Sequence, residues 1–325
     1  MLRPEVEDGE QTLVDPRFRA DVLAGLARRP RAIPARWFYD RRGSELFEAI
    51  TALPEYYPTR TETAILAALG PEMAALTGPN RAVVEFGSGS STKTPLVLRA
   101  VEPAAYVPID ISGAFLRDSV RALSADFLDL PVLPVEADFT RPIRLPEAIA
   151  DAPKLGFFPG STIGNLAPAE AVDLLRAMRD SLGEGAQLLI GMDRIKDPAT
   201  LIAAYDDAAG VTAAFNLNLL ARINRELAGT IPLDAFAHEA RWNDAAARIE
   251  MHLVATRPVS FVVAGLPFQF AVDDSIHTEN SHKYTSRDAN LLLWAGGWTP
   301  VKQWTDDAGL FGVLLAEARP PDPAP

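Results

Sequence analysis

The chain has 325 residues, enough to bury a substantial core in one large domain or two modest ones. A net charge of −12 speaks against a broad phosphate-binding face, because nucleic-acid affinity rests on Lys and Arg neutralising phosphates. The absence of cysteine excludes disulfides, thiolate metal sites and a cysteine nucleophile, and the four histidines (His238, His252, His277, His282) show none of the short helical spacings of a zinc site, so no metal is expected.

Met1 to Gln11 is acidic and polar, unlike a secretory signal, and no uncharged stretch reaches bilayer-spanning length. A cytoplasmic protein with no membrane or nucleic-acid partner is the expectation. Asp15-Pro16 reads as an N-cap with proline at the first helical position, opening a helix to about Arg29. Arg36 to Arg60 follows as an irregular stretch dense in aromatics and charge, which reads either as an arm packed on the main domain or as a lid over a ligand.

From Glu62 helices and short apolar strands alternate. A helix over Glu62–Leu76 leads to a strand at Ala82–Phe86, a glycine-rich turn and a helix near Pro95–Val101. Tyr106–Ile109 is the second strand, and Ser112 caps a helix to about Phe127. Val132–Glu136 and Lys154–Pro159 make two more strands, and helix Pro168–Leu182 precedes strand Gln187–Gly191. This alternation implies parallel pairing in a doubly wound α/β sheet.

The rhythm then breaks. Pro198–Leu227 reads as helical, and Arg248–Val272 alternates like antiparallel strands punctuated by Pro and Gly, so Lys196–Tyr284 is read as an inserted α+β domain. Leu291–Ala295 returns as helix, and Val301–Trp304 with Phe311–Ala316 form a closing hairpin, a feature of methyltransferase folds rather than of dinucleotide dehydrogenases. The expected organisation is a core over 61–195 and 285–318, a substrate-binding domain or lid over 15–60 and 196–284, and a disordered proline-rich tail over 319–325.

The segment VVEFGSGSSTKT sits where the first sheet strand feeds a helix, and Gly87 and Gly89 allow a tight turn with close ligand approach. The third glycine of a dinucleotide fingerprint is missing, and Thr92 stands where a phosphate loop needs glycine. Glu85 precedes the turn. Asp110 ends the second strand, where a carboxylate takes ribose hydroxyls, and Asp138 ends the next, with Phe139 placed to cover an adenine ring. Each acid alone also reads as a cap or turn former; three at successive strand ends favour an adenosyl cofactor.

FYDRRGSELFEAITALPEYYPTRTE, EFGSGSSTKT, FFPGSTIGN and IHTENSHKYT together resemble the histidine N-α-methyltransferases of the ergothioneine pathway, which form hercynine, and the likeness runs from about Asp15 to Glu317. The resemblance implies a class I, Rossmann-like methyltransferase core using S-adenosylmethionine, an inserted substrate domain, and three successive transfers to one amine. It carries Gly87, Lys93, Asp110, Asp138 and Phe139 to the cofactor, and Asn165 and Tyr205 to the substrate carboxylate. Tyr56, Glu279 and Ser281 fall on the imidazole side, Met251 on a wall of the pocket, and Tyr39 beside the amine. An imidazole N–H is a natural donor to Glu279, and Ser281 can serve the second ring nitrogen. From residue type alone Glu279 also reads as a strand-end charge, Asn165 as a turn residue, and Tyr56 and Tyr205 as packing residues.

The attacking amine must lose a proton before each transfer; a water chain or a phenol near Tyr39 is the expected carrier, and no histidine is nominated as base. Competing readings are the same chemistry on tryptophan or a substituted histidine, and a non-catalytic adenosyl-binding regulator. A base-methylating enzyme is disfavoured by the acidic charge and by GSTIGN in place of an Asn/Asp-Pro-Pro-aromatic motif. The expected active form is a monomer acting on a small amino acid.

Overall fold

The computed structural model describes residues 15–89, 93–111 and 113–318. The strip 1–11, Ser91 and Thr92 of the turn, the Ser112 cap and the 319–325 tail therefore lie outside the described residues.

Helix α1 (Pro16–Ala27) opens where the Asp15 carboxylate accepts from the Arg17 amide at 2.8 Å, and β1 (Arg31–Ala32) follows. The stretch read as irregular is instead ordered into a 3-10 turn (Ala35–Phe38) and helices α2 (Arg41–Thr51) and α3 (Tyr57–Ala68). Asp40 starts α2, its carboxylate taking the Gly43 amide at 2.7 Å, and Gly43, Leu46 and Ile50 form the buried stripe that the surrounding charges obscured. The single helix expected over 62–76 is two, because Pro71 cannot donate within the ladder and restarts the chain as α4 (Gly70–Thr77).

Strands and helices then alternate as β2 (Ala82–Phe86), α5 (Thr94–Val101), β3 (Ala105–Asp110), α6 (Gly113–Asp126), β4 (Val135–Glu136), β5 (Lys154–Phe158), α7 (Pro168–Leu182) and β6 (Gln187–Asp193). β4 is shorter than expected. Pro131 and Pro134 lack amide donors, leaving only a single bridge between Tyr106 and Val132 upstream of it.

The next helical stretch also divides, into α8 (Pro198–Tyr205) and α9 (Val211–Glu226), at Gly210 with φ +72°. Asp207 caps α9 by accepting the Val211 and Thr212 amides at 3.0 and 2.7 Å. Five strands follow: β7 (Phe236–Asn243), β8 (Arg248–Ala255), β9 (Val259–Val263), β10 (Leu266–Phe270) and β11 (Ser275–His282). The first and last lie outside the stretch expected to be strand. Helix α10 (Ser286–Ala295) carries a Thr285–Asp288 capping box and leads to the hairpin β12 (Trp298–Thr305) and β13 (Phe311–Ala318).

Seven strands form one sheet in the order β12-β13-β6-β5-β2-β3-β4. β2 pairs in parallel with both β3 and β5, so chain direction across the sheet reverses beside β2, while β13 is antiparallel to β6 and β12. Side-chain alternation covers both faces. Val84, Phe86, Leu188, Ile190 and Leu314 pack with α7 and Trp298 on one side. Val83, Leu155, Leu189 and Val313 pack with Ile65, Met73 and Leu98 of the α3–α5 layer on the other.

The described residues divide into two compact units, those within 51–205, 242–249 and 280–318 in the larger and those within 15–50, 206–241 and 250–279 in the smaller. Segments 51–60, 196–205 and 280–284 therefore group with the seven-stranded sheet rather than with the insertion. In the smaller unit a sheet in the order β1-β11-β8-β7 accompanies a β9–β10 hairpin. There Phe38 packs on Phe215 at 4.6 Å, and the Arg222 guanidinium lies 4.6 Å over Phe18 while donating to the Trp37 carbonyl at 3.0 Å.

Candidate active site

Parallel α/β sheets bind ligands beyond the carboxyl ends of their strands, where chain direction reverses. Here that place is the end of β2, and the glycine turn occupies it. Gly87 (φ +72°) and Gly89 (φ +38°) hold left-handed conformations that a side chain resists, and the Gly87 and Ser88 amides both donate to the Ile109 carbonyl, at 2.8 and 3.1 Å. The Gly89 amide points at the Asp110 carboxylate, 3.4 Å away at the end of β3. Phe139 lies against the turn, with its ring 3.5 Å from where a Gly87 Cβ would stand, and meets Phe86 and Phe158 edge-on. Asp138 is exposed and accepts from the Thr140 amide and hydroxyl at 3.1 and 2.6 Å. The Ser88 hydroxyl is buried with no hydrogen-bond partner among the described residues. Open backbone, two strand-end carboxylates and an aromatic edge suit an adenosyl group.

Two residues read as cofactor ligands are engaged internally. Lys93 is buried in an ion pair with Glu62, which also accepts the Gly160 amide at 2.9 Å. Glu85 is fully buried, and one of its oxygens accepts from Thr94 and Tyr106 at 2.7 and 2.6 Å. A glycine at position 191 is required because a Cβ there would run into the Glu62 carboxylate. Glu62 was not anticipated, although it closes the quoted motif FYDRRGSELFEAITALPEYYPTRTE.

Beyond β6 a second group of polar side chains assembles. Asp193, at the strand end and 1 % exposed, accepts from Lys283 at 2.7 Å, Lys196 at 2.7 Å and the Tyr57 hydroxyl at 2.7 Å. Burial disfavours its ionisation, but the Lys283 and Lys196 ammoniums outweigh that and hold the carboxyl below the usual aspartate value. Burial pushes Lys196 down to about 8, opposed by Asp193, and pushes the Tyr57 hydroxyl up, reinforced by Asp193. Lys283 also donates to Ser281 at 2.8 Å and to the Tyr205 hydroxyl at 3.0 Å, and those two hydroxyls share a 2.7 Å hydrogen bond. The Tyr56 ring stands 6.0 Å from that of Tyr205. Tyr56, Tyr205 and Ser281 are thus brought together on one ion-pair network. Asp193, Lys196, Lys283 and Tyr57 were missed, although Tyr57 and Lys283 fall inside the quoted motifs and Asp193 ends an apolar strand.

Asn165 closes the short turn Thr162–Asn165 after β5. The neighbouring Gly164 carbonyl accepts from His282 Nδ1 at 2.9 Å, and a Cβ on Gly164 would stand 2.8 Å from the His282 carbonyl oxygen. Gly164→Ala should therefore force the two segments apart and destabilise the protein by about 1–3 kcal/mol, the usual cost of overpacking; urea denaturation with an unchanged midpoint would refute the close approach.

The remaining candidates lie in the smaller unit. Tyr39 is 43 % exposed and meets Phe47 and Phe215 edge-on. Met251 is buried on β8, its carbonyl accepting from Thr278 at 3.0 Å. Glu279 is half-buried on β11, and its backbone carbonyl accepts from His277 Nε2 at 2.9 Å.

The parallel sheet with its terminal antiparallel hairpin, and the glycine turn flanked by strand-end acids, define a class I, Rossmann-like methyltransferase. The family described as histidine-specific, S-adenosylmethionine-dependent methyltransferases matches residues 18–318, and the chain belongs to it. The histidine N-alpha-methyltransferase of Mycolicibacterium smegmatis is 43 % identical over 92 % of this chain and 94 % of its own length. That of Mycobacterium tuberculosis is 41 % identical over the same shares. Ergothioneine biosynthesis protein 1 of Neurospora crassa is 32 % identical over 89 % of this chain but only 34 % of its own length. No helix among the described residues is long and apolar enough to cross a membrane.

Proposed function

We propose that this chain transfers methyl groups from S-adenosylmethionine to the α-amino nitrogen of L-histidine, three times in succession, giving hercynine for ergothioneine biosynthesis and S-adenosylhomocysteine as co-product. The observation that carries the reading is kinship along almost the whole chain, 43 % identity over 92 % of it, to a histidine N-alpha-methyltransferase.

When bound, S-adenosylmethionine supplies a methyl group on a sulfonium centre, electrophilic enough to need no metal. Asp110 takes the ribose hydroxyls, Asp138 the adenine amino group, and Phe139 covers the ring, while Gly87 and Gly89 let the backbone approach. Lys93, paired with Glu62, and Glu85, hydrogen-bonded by Thr94 and Tyr106, flank the turn as the remaining cofactor contacts. Asn165 and Tyr205 hold the substrate carboxylate. Glu279 and Ser281 take the two imidazole nitrogens, Tyr56 and Met251 line the pocket, and Tyr39 passes the amine proton outward. The protein's task is positioning and exclusion of water. After the third transfer the nitrogen has no lone pair, and the reaction stops. A monomer working in the cytoplasm, without nucleic acid or membrane as partner, completes the proposal.

Mass spectrometry of the protein with S-adenosylmethionine and each of the twenty amino acids tests it. Three methyl additions to histidine are expected. Preferential methylation of tryptophan would reassign the substrate, and cofactor binding without turnover on any amino acid would leave only a regulator.

Asp110→Ala should weaken S-adenosylhomocysteine binding by roughly 10- to 100-fold, the loss of a hydrogen bond to a charged group at about 1.5–3 kcal/mol. Calorimetry giving an unchanged dissociation constant would remove the ribose assignment.

A further inference from the structure

The smaller unit carries a cluster of metal-ligating side chains that the methyl-transfer reading does not use. β8 and β11 run antiparallel, fixed at one end by the Ala255 amide on the Asp274 carbonyl and the Asp273 amide on the Ala255 carbonyl, each 2.9 Å. That register sets His252 across from His277, and their rings stand 5.0 Å apart at 23°. Strand alternation places Glu250 on the same face as His252. One nitrogen of each imidazole and one Glu250 oxygen lie within 4.8 Å of one another, with His252 Nε2 3.2 Å from Glu250 Oε2. Neighbouring donor atoms around a tetrahedral zinc ion, at ligand distances of about 2.0–2.1 Å, are roughly 3.3 Å apart.

A further contact points the same way. The Glu279 carbonyl only accepts, so His277 Nε2 carries the proton and the neutral ring's lone pair sits on Nδ1. Anchoring of one ring nitrogen on a carbonyl is how proteins orient a ligating imidazole. The cation on the adjoining strand, Arg241, is held by Glu239 through two contacts of 2.9 and 2.7 Å.

We propose that Glu250, His252 and His277 form a site for a late first-row divalent cation, zinc in the first instance, which ties β8 to β11. Two imidazoles with a single carboxylate select such ions over Mg2+ and Ca2+, which prefer all-oxygen shells. A helical spacing of histidines could not announce the site, because its ligands come from two strands and meet only through sheet register.

The test uses the full chain, free of any histidine tag, stripped by chelator and dialysed against Zn2+ or Co2+. One zinc retained per chain is expected, with the visible bands of low-symmetry Co2+ when cobalt is supplied. H252Q, H277Q and the conservative E250Q should each weaken zinc binding at least about tenfold, whereas H238Q should not. Zinc should also raise the melting temperature of the unsubstituted chain and not that of H252Q. No retained zinc, or equal retention by the double variant H252Q/H277Q, would overturn the proposal. If the histidine variants fail to fold, E250Q and the cobalt spectrum of the unsubstituted chain decide: full retention by E250Q together with an octahedral aquo-type spectrum rejects the site.

Discussion

Asp193→Ala is expected to destabilise the protein by about 3–5 kcal/mol, the usual cost of breaking a buried ion pair by removing one partner. Lys283 is fully buried at its side chain and Lys196 nearly so, and both ammoniums direct a donor at this carboxylate, as does the Tyr57 hydroxyl. Without the acceptor, two buried cations remain with no anion bonded to them, and nothing in a truncated side chain replaces it. Denaturant titration of the variant, with its slope unchanged, should show the loss; a cost below about 1 kcal/mol would mean that the network behaves like a solvent-exposed pair. The same carboxylate makes stability depend on pH. Its folded-state value lies below the ordinary 3.8, so the unfolded chain binds the proton more readily. Its contribution is complete well above pH 3.8 and disappears as the pH falls through the lower folded-state value. The acid limb of a stability profile should therefore flatten in Asp193→Ala relative to the unsubstituted chain.

Glu279→Ala should raise the histidine KM by two orders of magnitude or more, on the order of what a site built to pair a substrate N–H loses when the pairing is removed. Cofactor binding should be nearly unaffected, since the glycine turn, Asp110 and Asp138 lie on other elements. The backbone carbonyl of residue 279 survives the change, so the His277 anchor persists. Discrimination against phenylalanine should narrow, because a carboxylate that no apolar ring can satisfy would be gone. Steady-state kinetics on both amino acids check this. Unchanged histidine KM with unchanged selectivity would make Glu279 a surface charge and return the choice of histidine to kinship alone. That result would leave the metal proposal untouched, which depends on Glu250, His252 and His277.

The order of elements was legible because helix and strand periods, caps and proline positions act within a few residues. β2, β5 and α7 fall within one residue of where their patterns put them. Departures came where a short-range signal was mixed. Arg36–Arg60 hid two helices because charged residues flank a narrow buried stripe, and Pro131 and Pro134 cut β4 to two residues although its apolar run is longer. β1 and β11 escaped notice because a two-residue parallel strand and an eight-residue polar one are stabilised by each other and by their neighbours, not by their own composition.

The sequence by itself determined the class of fold, the family, and the turn at the cofactor edge, since each rests on contiguous patterns such as EFGSGSSTKT and on strand–helix alternation. Only the tertiary structure decided which charges are spent internally. Lys93 reads as a cation without a partner beside its glycines until Glu62, thirty-one positions earlier, is seen to pair with it. Asp193 reads as a strand end until Lys283, ninety positions later, arrives beside it through the bridge between Arg194 and Tyr284. His252 and His277 are likewise unrelated along the chain and adjacent across a sheet. The reason is physical. Local propensity is set by neighbours three or four positions away, whereas the partner of a buried charge is set by strand register and packing, which bring together residues of any separation.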